Sequence, residues 1–568
     1  MRPVKRYKFE LMAGAILLVM ALNLVSVLPR KSITTDEIVL IPSAYYHWVD
    51  SDVHLIGQHP PLCKLLAGFP LLFLQPNEWK PDKIDPAGSR DQHEWDYVQH
   101  FWQDNRERFE AISFWSRMPM IALTLALGVL LFVFTRNLLG ARVAALAVAL
   151  FAIEPTILAH GRIVQTDIPA AFGFLLTTYA LWRYLRSPEW KSACFLGSAA
   201  AVALLAKYSM LVVVPAIFVM FILLFCRRGA RRMKLLREAT IVAAAFLVVV
   251  QAAYFFHSGT LTTGDVSWIS GAFSESNGRL TVLARLASWF LPADMVMGIY
   301  WQLHHAQAGH FAGLLGMYGN FGWWYYFPVA FLFKATIPFV SISLAAIGWY
   351  FQRVASKREW QWLILLVPFV LYTALMLTSP IDIGVRYYLP GYLPLLILSA
   401  GLLDLLLRHR ARVARYIAIA AMSWMAFEAA RTYPHYIPYM NQLAFAHPHW
   451  WYLSDSNVEW GDDAKALASW LTARGEHRVR GMLLGCFATL DFYQVNYVDA
   501  IGVTTEAPPR YTAIGASFLN GSTVPPHEVD GHRISEEARV NTFDSYRRRR
   551  PEVIIGNSIY VYRDDHSP

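Results

Sequence analysis

The sequence predicts an α-helical polytopic membrane protein with about eleven transmembrane helices, external loops and a small C-terminal α/β unit. Three observations carry that prediction. Of the 568 residues, 55% are hydrophobic and only 16% charged, against about 25% charged in soluble domains; mean hydropathy is +0.33. The apolar residues fall into runs long enough to cross a bilayer, which takes roughly 17–25 residues per helix. The basic residues alternate from one side of those runs to the other.

The runs are 11–28, 117–135, 143–159, 168–185, 192–206, 209–226, 238–256, 326–350, 361–378, 387–407 and 413–430. Basic residues precede the first, as in a secretory signal. No small-residue cleavage site follows it (the chain continues Val27-Leu28-Pro29-Arg30), so it reads as an uncleaved helix. If the even-numbered gaps are cytoplasmic, they hold Arg136 and Arg142, then Arg183, Arg186 and Lys191. The cluster from Arg227 to Arg237 follows, then Arg353, Lys357 and Arg358, then Arg408, Arg410, Arg412 and Arg415. The N-terminus adds Arg2, Lys5, Arg6 and Lys8. Basic residues concentrated on one side follow the positive-inside rule. This places the N-terminus inside and 432–568 outside a plasma membrane. It also accounts for the net charge of +9 without nucleic acid as a partner.

On this reading 1–431 is a transmembrane catalytic domain with external loops 29–116 and 257–325, the latter with an amphipathic stretch at 279–291. The remainder, 432–568, is an external soluble domain. Within it, 463–471 has helical spacing through Ala466, Leu467 and Trp470. Segments 480–484, 511–514 and 553–561 read as short strands. Cys63 and Cys486 both fall outside, where a disulfide is permitted. No histidine forms HExxH or a comparable ligand spacing, so no metal is expected.

Ionisable residues at a membrane boundary mark functional sites. Thr34-Thr35-Asp36-Glu37 opens the first external loop. Adjacent carboxylates there suit a general base, because a low dielectric raises a carboxyl pKa. Ordinary first-turn capping explains them equally well. His59-Pro60-Pro61 holds His59 on a rigid turn ahead of Lys64. His160-Gly161-Arg162 and Asp167 lie between the third and fourth runs, and Lys207 between the fifth and sixth. Lys334 falls inside the eighth; Asp382, Arg386 and Tyr387 bridge the ninth and tenth. A lone cation at a helix end commonly snorkels to the interface. Lys207 and Arg386, however, run against the chain's own charge bias. With Asp36 and Asp167 at the same depth, they suit an anionic group such as a lipid-linked phosphate.

These segments, in order, carry a resemblance. They are TTDEIVLIPSAYYHW and GQHPPLCKLLAGFPLL in the first loop, EPTILAHGRIVQTDIP, LLAKYSMLVVVP and GHFAGLLGMYGNFGWWYYFPVAFLFKATIP. They continue with IDIGVRYYLPGYLPLLI, YPHYIPYMNQLA and DSNVEWGDDAKALASWL. The chain resembles the bacterial polyprenyl-phosphate-dependent glycosyltransferases of the GT-C fold. These are related to the dolichyl-phosphate-mannose protein mannosyltransferases (glycosyltransferase family 39) and the lipid A aminoarabinose transferases. The resemblance implies inverting transfer of one sugar from a polyprenyl-phosphate carrier to an acceptor hydroxyl at the external face. The acceptor is a glycan, lipid or protein, and no cofactor beyond the lipid-linked donor is implied.

Carried over residue by residue, Asp36 is the base or acceptor-orienting group, with Glu37 beside it and Asp167 near the sugar. His59 and Lys64 shape the donor pocket. Lys207, Lys334 and Arg386 hold the carrier phosphate, and Arg162 and Tyr387 complete the substrate contacts. The tail does not resemble the ligand-binding domain of the eukaryotic mannosyltransferases; Asp455-Ser456-Asn457 followed by Glu459-Trp460-Gly461 reads equally as an acceptor-sugar contact through Trp460 and as a packed turn. A transporter or flippase of a lipid-linked sugar is the alternative; it calls for inverted repeats and interrupted helices, and the sequence shows neither. Transfer of a whole glycan by an oligosaccharyltransferase is a further one.

Overall fold

A computed structural model of the chain describes residues 7–80, 93–227, 232–257, 260–501, 508–529 and 532–564. Every predicted run coincides with helix. Five helical stretches are long and apolar enough to cross a membrane: Lys8–Arg30, Arg106–Leu139, Arg232–Ala253, Trp360–Leu377 and Val385–Arg408. The other predicted spans coincide with helices that are shorter, more polar or interrupted. Ala141–Ile153 and Trp190–Ala206 are among the shorter apolar ones.

The interruptions correct the expectation of unbroken helices. The run 143–159 divides into Ala141–Ile153 and Pro155–His160, because Pro155 starts a new helix and Glu154 is left extended. The run 326–350 divides into Tyr326–Lys334 and Ile337–Lys357, with Pro338 in the first turn of the second. The freed polar groups meet: Thr336 Oγ1 donates to Glu154 Oε2 (3.3 Å), and Thr156 Oγ1 to the Lys334 carbonyl (3.1 Å). Buried backbone released by a break must find such partners.

Close helix approach depends on glycine. A Cβ at Gly173 would lie 2.4 Å from Ala203 Cα, and one at Gly197 2.1 Å from the Val242 carbonyl oxygen. Helix Trp190–Ala206 is therefore held tightly between Asp167–Arg186 and Arg232–Ala253. Small residues supply van der Waals packing where lipid removes the hydrophobic drive between helices.

The two helix ends differ in charge chemistry. At one, Arg136 pairs with Glu10 (3.3 Å), and Arg142 and Arg408 share Asp404 (2.9 Å each). At the other lie the starts of Thr35–Val49 and Asp167–Arg186 and the C-terminus of Trp190–Ala206, with Val385–Tyr388 leading into Leu389–Arg408.

Residues 433–463 run over this second end and bond into it: Asn23 donates to the Tyr436 hydroxyl (2.8 Å) and Asn441 N to the Phe333 carbonyl (2.9 Å). Helix Ala464–Thr472 then leads to a five-stranded sheet. Two short hairpins supply the other strands, β1 (Ala312–Leu314) with β2 (Met317–Gly319) and β6 (Glu528–Val529) with β7 (His532–Arg533). The sheet itself is β3 (Arg478–Met482), β4 (Asn496–Asp499), β5 (Tyr511–Gly515), β8 (Val553–Ile555) and β9 (Ile559–Arg563), in the order β4-β3-β5-β9-β8. β3 is parallel to both β4 and β5.

The predicted strand 553–561 is instead the hairpin β8–β9. Its turn places Gly556 and Asn557 at φ +61° and +62°, the left-handed pair of a type I′ turn. Cys63 is a buried free thiol, and the side chain of Cys486 lies outside the described residues.

Gly197→Leu is expected to separate the two helices at Val242 and cost about 1–3 kcal/mol. A lowered thermal unfolding midpoint of the detergent-solubilised protein checks this.

Candidate active site at the helix ends

Helix Thr35–Val49 begins with a capping box. Thr34 and Glu37 bond each other's backbone or side chain, and Thr34 N donates to Glu37 Oε2 (2.8 Å). This is the local chemistry that Thr-Thr-Asp-Glu encodes, and it separates the two acids. Glu37 is buried, and Arg117 grips both its oxygens (2.7 and 2.6 Å) while Val164 N donates a third bond (3.0 Å). Burial raises the Glu37 carboxyl, but the Arg117 charge and these hydrogen bonds outweigh it and hold the carboxyl below its usual range. Glu37 is thereby a structural anchor: Arg117 also donates to the Ser32 carbonyl (2.6 Å) and fixes the chain entering the helix. The expectation of a catalytic Glu37 gives way to this geometry, since no lone pair is left facing an opening.

Asp36 points elsewhere. Its carboxylate is 24% exposed and bonds Arg386 Nη1 (3.0 Å). The same Arg386 nitrogen reaches Asp167 (3.3 Å), which in turn bonds Lys207 Nζ at 2.5 Å. The result is a chain Asp36–Arg386–Asp167–Lys207 of two carboxylates and two cations. Asp167 is 1% and Lys207 16% exposed. Asp167 is the first residue of its helix, where the N-terminal dipole favours an anion. Burial pushes the Asp36 carboxyl above its usual value; Asp167 and Asp455 add to this against the lowering by Arg386.

Aromatic rings and one hydroxyl position the cations. Tyr387 lies 3.3 Å beneath Lys207 Nζ. The Arg386 guanidinium stacks 4.1 Å from the Trp460 ring and donates from Nε to Ser456 Oγ (3.0 Å), whose hydrogen goes to the Ile383 carbonyl (2.6 Å). Trp460 is almost wholly buried and also meets the His160 ring. It therefore supports Arg386 and is closed to the sugar contact expected of it.

Other predicted residues divide in the same manner. His59 is near the cluster, and burial, with Lys64, Lys207 and Arg386 adding to it, lowers its imidazole to about 3; it is a neutral ring. Lys64 spends its ammonium on the Leu55 and Ile56 carbonyls (3.0 and 2.9 Å), so it ties the loop before the double proline instead of facing a donor. Lys334 likewise donates to the Ile437 and Asn457 carbonyls (2.6 and 2.7 Å), fastening 433–463 to a broken helix; its expected phosphate contact is taken up by backbone. Arg162 bonds Asp462 through one nitrogen (3.0 Å), while Nε and Nη1 are buried without a hydrogen-bond partner. Asp382 accepts from Trp323 N (2.7 Å), apart from the chain of charges.

Sequence reasoning missed Arg117, Lys31 and the acids that hold Lys31. Lys31 Nζ reaches Asp463 at 2.6 Å and Asp462 at 3.4 Å. Arg117 had a visible signal, a cation at the very start of a predicted span. The Asp455-Ser456-Asn457 turn stood out in the sequence, but the bond from Arg386 to Ser456 did not, because the two are 70 residues apart. Among the described residues no cluster of three or more His, Cys, Asp or Glu is placed to hold a metal.

Comparison with known proteins adds to this geometry. Residues 109–254 match the family model of dolichyl-phosphate-mannose-protein mannosyltransferases, the same relationship that the sequence motifs carry. Arg117, Arg162, Asp167 and Lys207 all lie inside the match. No curated protein matches the chain. Among solved structures, ArnT from Cupriavidus metallidurans bound to undecaprenyl phosphate is 12% identical; the likeness covers 93% of this chain and 97% of that one, at a TM-score of 0.47. The Pmt1-Pmt2 protein O-mannosyltransferase complex of S. cerevisiae, bound to the sugar donor, is 11% identical over 75% of this chain and 89% of that one, at 0.48. The oligosaccharyltransferase AglB of Archaeoglobus fulgidus is 10% identical over 91% and 71%, at 0.47.

Arg117→Ala would leave Glu37 as a buried, uncompensated charge. A loss of about 3–5 kcal/mol is expected, seen as a lowered unfolding midpoint, with much of it restored in Arg117→Ala/Glu37→Gln.

Proposed function

We propose that the protein is a membrane glycosyltransferase of the GT-C fold. It moves one sugar from a polyprenyl-phosphate carrier to an acceptor hydroxyl at the external membrane face, with inversion. The observation that carries this reading is the chain of charges at one end of the helices, two of whose members fall inside the mannosyltransferase family match. A positive-inside orientation makes that end the outer one.

The chemistry follows from the geometry. Arg386 and Lys207 neutralise the carrier phosphate. When Arg386 turns to the phosphate, Asp36 loses its lowering partner and becomes a stronger base. The acceptor hydroxyl gives its proton to Asp36 as its oxygen bonds the anomeric carbon, and the bond from that carbon to the phosphate oxygen breaks. The electron pair leaves on the phosphate, where the two cations stabilise it. Asp167 keeps both cations in place and stays ionised between them.

The two interrupted helices are what favours a second reading, a transporter of a lipid-linked sugar. Their breaks, however, bond to each other through Thr336, Glu154 and Thr156, which argues for a closed structural joint.

Asp36→Asn is expected to lower release of free polyprenyl phosphate from a labelled donor by about 10²-fold or more, with the unfolding midpoint retained. Lys207→Ala is expected to raise the donor KM and lower kcat together, as loss of a phosphate contact would. Because burial raises the Asp36 pKa and the base must be ionised, activity falls as pH drops through that raised value. The acid limb of kcat/KM for the wild type should therefore stand above the ordinary Asp value of 3.8 and be absent from the residual rate of Asp36→Asn.

A further inference from the structure

A cavity of about 530 Å³ lies between the C-terminal sheet and the start of helix Thr35–Val49. Its walls include Thr35, Asp491, Asn496, Tyr497, Asp499 and Phe518. The position in the sheet is informative. The segment after β3 leads to β4 on one side, whereas the segment after β5 belongs to the other half, beside β9. The cavity is lined from both, by Leu483 to Gly485 after β3 and by Phe518 after β5. It thus lies at the carboxyl ends of β3 and β5, where the connections part in opposite directions, the general location of ligand crevices in such sheets, and it extends along the edge strand β4 to Asn496 at its amino end.

The cavity also touches the site described above. Thr35 is its wall on the membrane side and the residue immediately before Asp36. It is held by its backbone N–H on the Trp460 carbonyl (2.9 Å), and a Cβ at Gly485 would come 2.5 Å from its hydroxyl oxygen. A molecule in the cavity therefore lies beside the helix turn that carries the carboxylate base.

The lining chemistry selects the ligand. No Lys, Arg or His lines the cavity among the described residues. Asp491 already holds Arg106 (2.6 Å) and forms wall. Asp499 gives Oδ1 to the Ile501 backbone N–H (2.8 Å), which leaves Oδ2 as an acceptor for hydroxyl groups. Asn496 is exposed and offers an amide, donor and acceptor together. The Tyr497 hydroxyl is engaged by the Gly481 carbonyl (2.6 Å), so its half-buried ring meets the cavity as an apolar surface suited to the C–H face of a sugar, and the buried Phe518 closes the wall behind. With Asp491 neutralised by Arg106, the carboxylate of Asp499 is what disfavours phosphate and carboxylate ligands here.

We propose that this cavity binds the acceptor and that the acceptor is a neutral, polyhydroxylated glycan. The inference rests on the glycosyltransferase reading for its role, and on the cavity alone for its ligand. The test uses the full-length protein in nanodiscs, with mannotriose, maltotriose and chitotriose as neutral probes and glucose 6-phosphate as an anionic one. Saturation-transfer NMR is expected to show binding of at least one neutral trisaccharide and none of the phosphate. Binding should weaken tenfold or more in Asp499→Arg and in Asn496→Arg, with unchanged unfolding midpoints certifying the fold. Binding of no neutral sugar, equal binding by both variants, or preference for the phosphate would each overturn the proposal. Release of polyprenyl phosphate by the wild type is scored separately. Its absence alongside variant-sensitive trisaccharide binding would remove the transferase reading and leave the glycan site standing.

Discussion

Arg386 shares one guanidinium nitrogen between Asp36 and Asp167, and the organisation of this end of the molecule follows from keeping that shared charge buried. An arginine removed from water needs compensation on every side. Here the carboxylates supply charge, Trp460 and Tyr387 supply ring faces, and Ser456 takes the remaining Nε hydrogen. These partners come from four separate stretches of the chain. The ends of the helices and residues 454–460 must be in register before Arg386 is satisfied, so the cluster specifies the fold at the place where the proposed chemistry falls.

A second, wholly buried set of charges fastens the segment after the last helix. Lys31, Arg117 and Arg162 face Glu37, Asp462 and Asp463. Ser558, from the turn of β8–β9, donates to Asp463 Oδ2 (2.6 Å). The C-terminal sheet is thereby tied to the segment after the first helix by ion pairs and hydrogen bonds. This arrangement brings the cavity beyond β3 and β5 against Thr35. It also fits the inward direction of several cations at the helix ends. Lys64, Lys334 and Arg117 hold loops and caps, whereas Lys207 and Asp36, at 16% and 24% exposed, are the members of the charge chain that keep some open surface, with Arg386 buried between the acids.

Much of this was legible in the sequence. Every hydropathy run coincides with helix, although Thr35–Val49 and Ala293–Ala308 lie outside the runs, and cations placed against the chain's charge bias picked out Lys207 and Arg386. The breaks at Glu154 and Ala335 were signalled by Pro155 and Pro338 but hidden by the surrounding apolar residues, which kept the runs looking continuous. The hairpin at 553–561 was hidden because Gly556 and Asn557 interrupt it for only one turn. Separating Asp36 from Glu37 was beyond the local sequence. Adjacent residues on a helix point about 100° apart, and which of the two meets Arg117 depends on a helix that packs from 80 residues away. The same limit applies to Lys64 and Lys334, whose partners are backbone carbonyls that no residue type announces.

The most direct test of the account is to incubate the purified protein in nanodiscs with a panel of labelled undecaprenyl-phosphate sugars and a mixed acceptor pool, and to identify all products by mass spectrometry. The account predicts free undecaprenyl monophosphate in step with a product enlarged by one sugar, with the anomeric configuration inverted. Transfer of an intact oligosaccharide, retention of configuration, or no release from any carrier-linked sugar would contradict it.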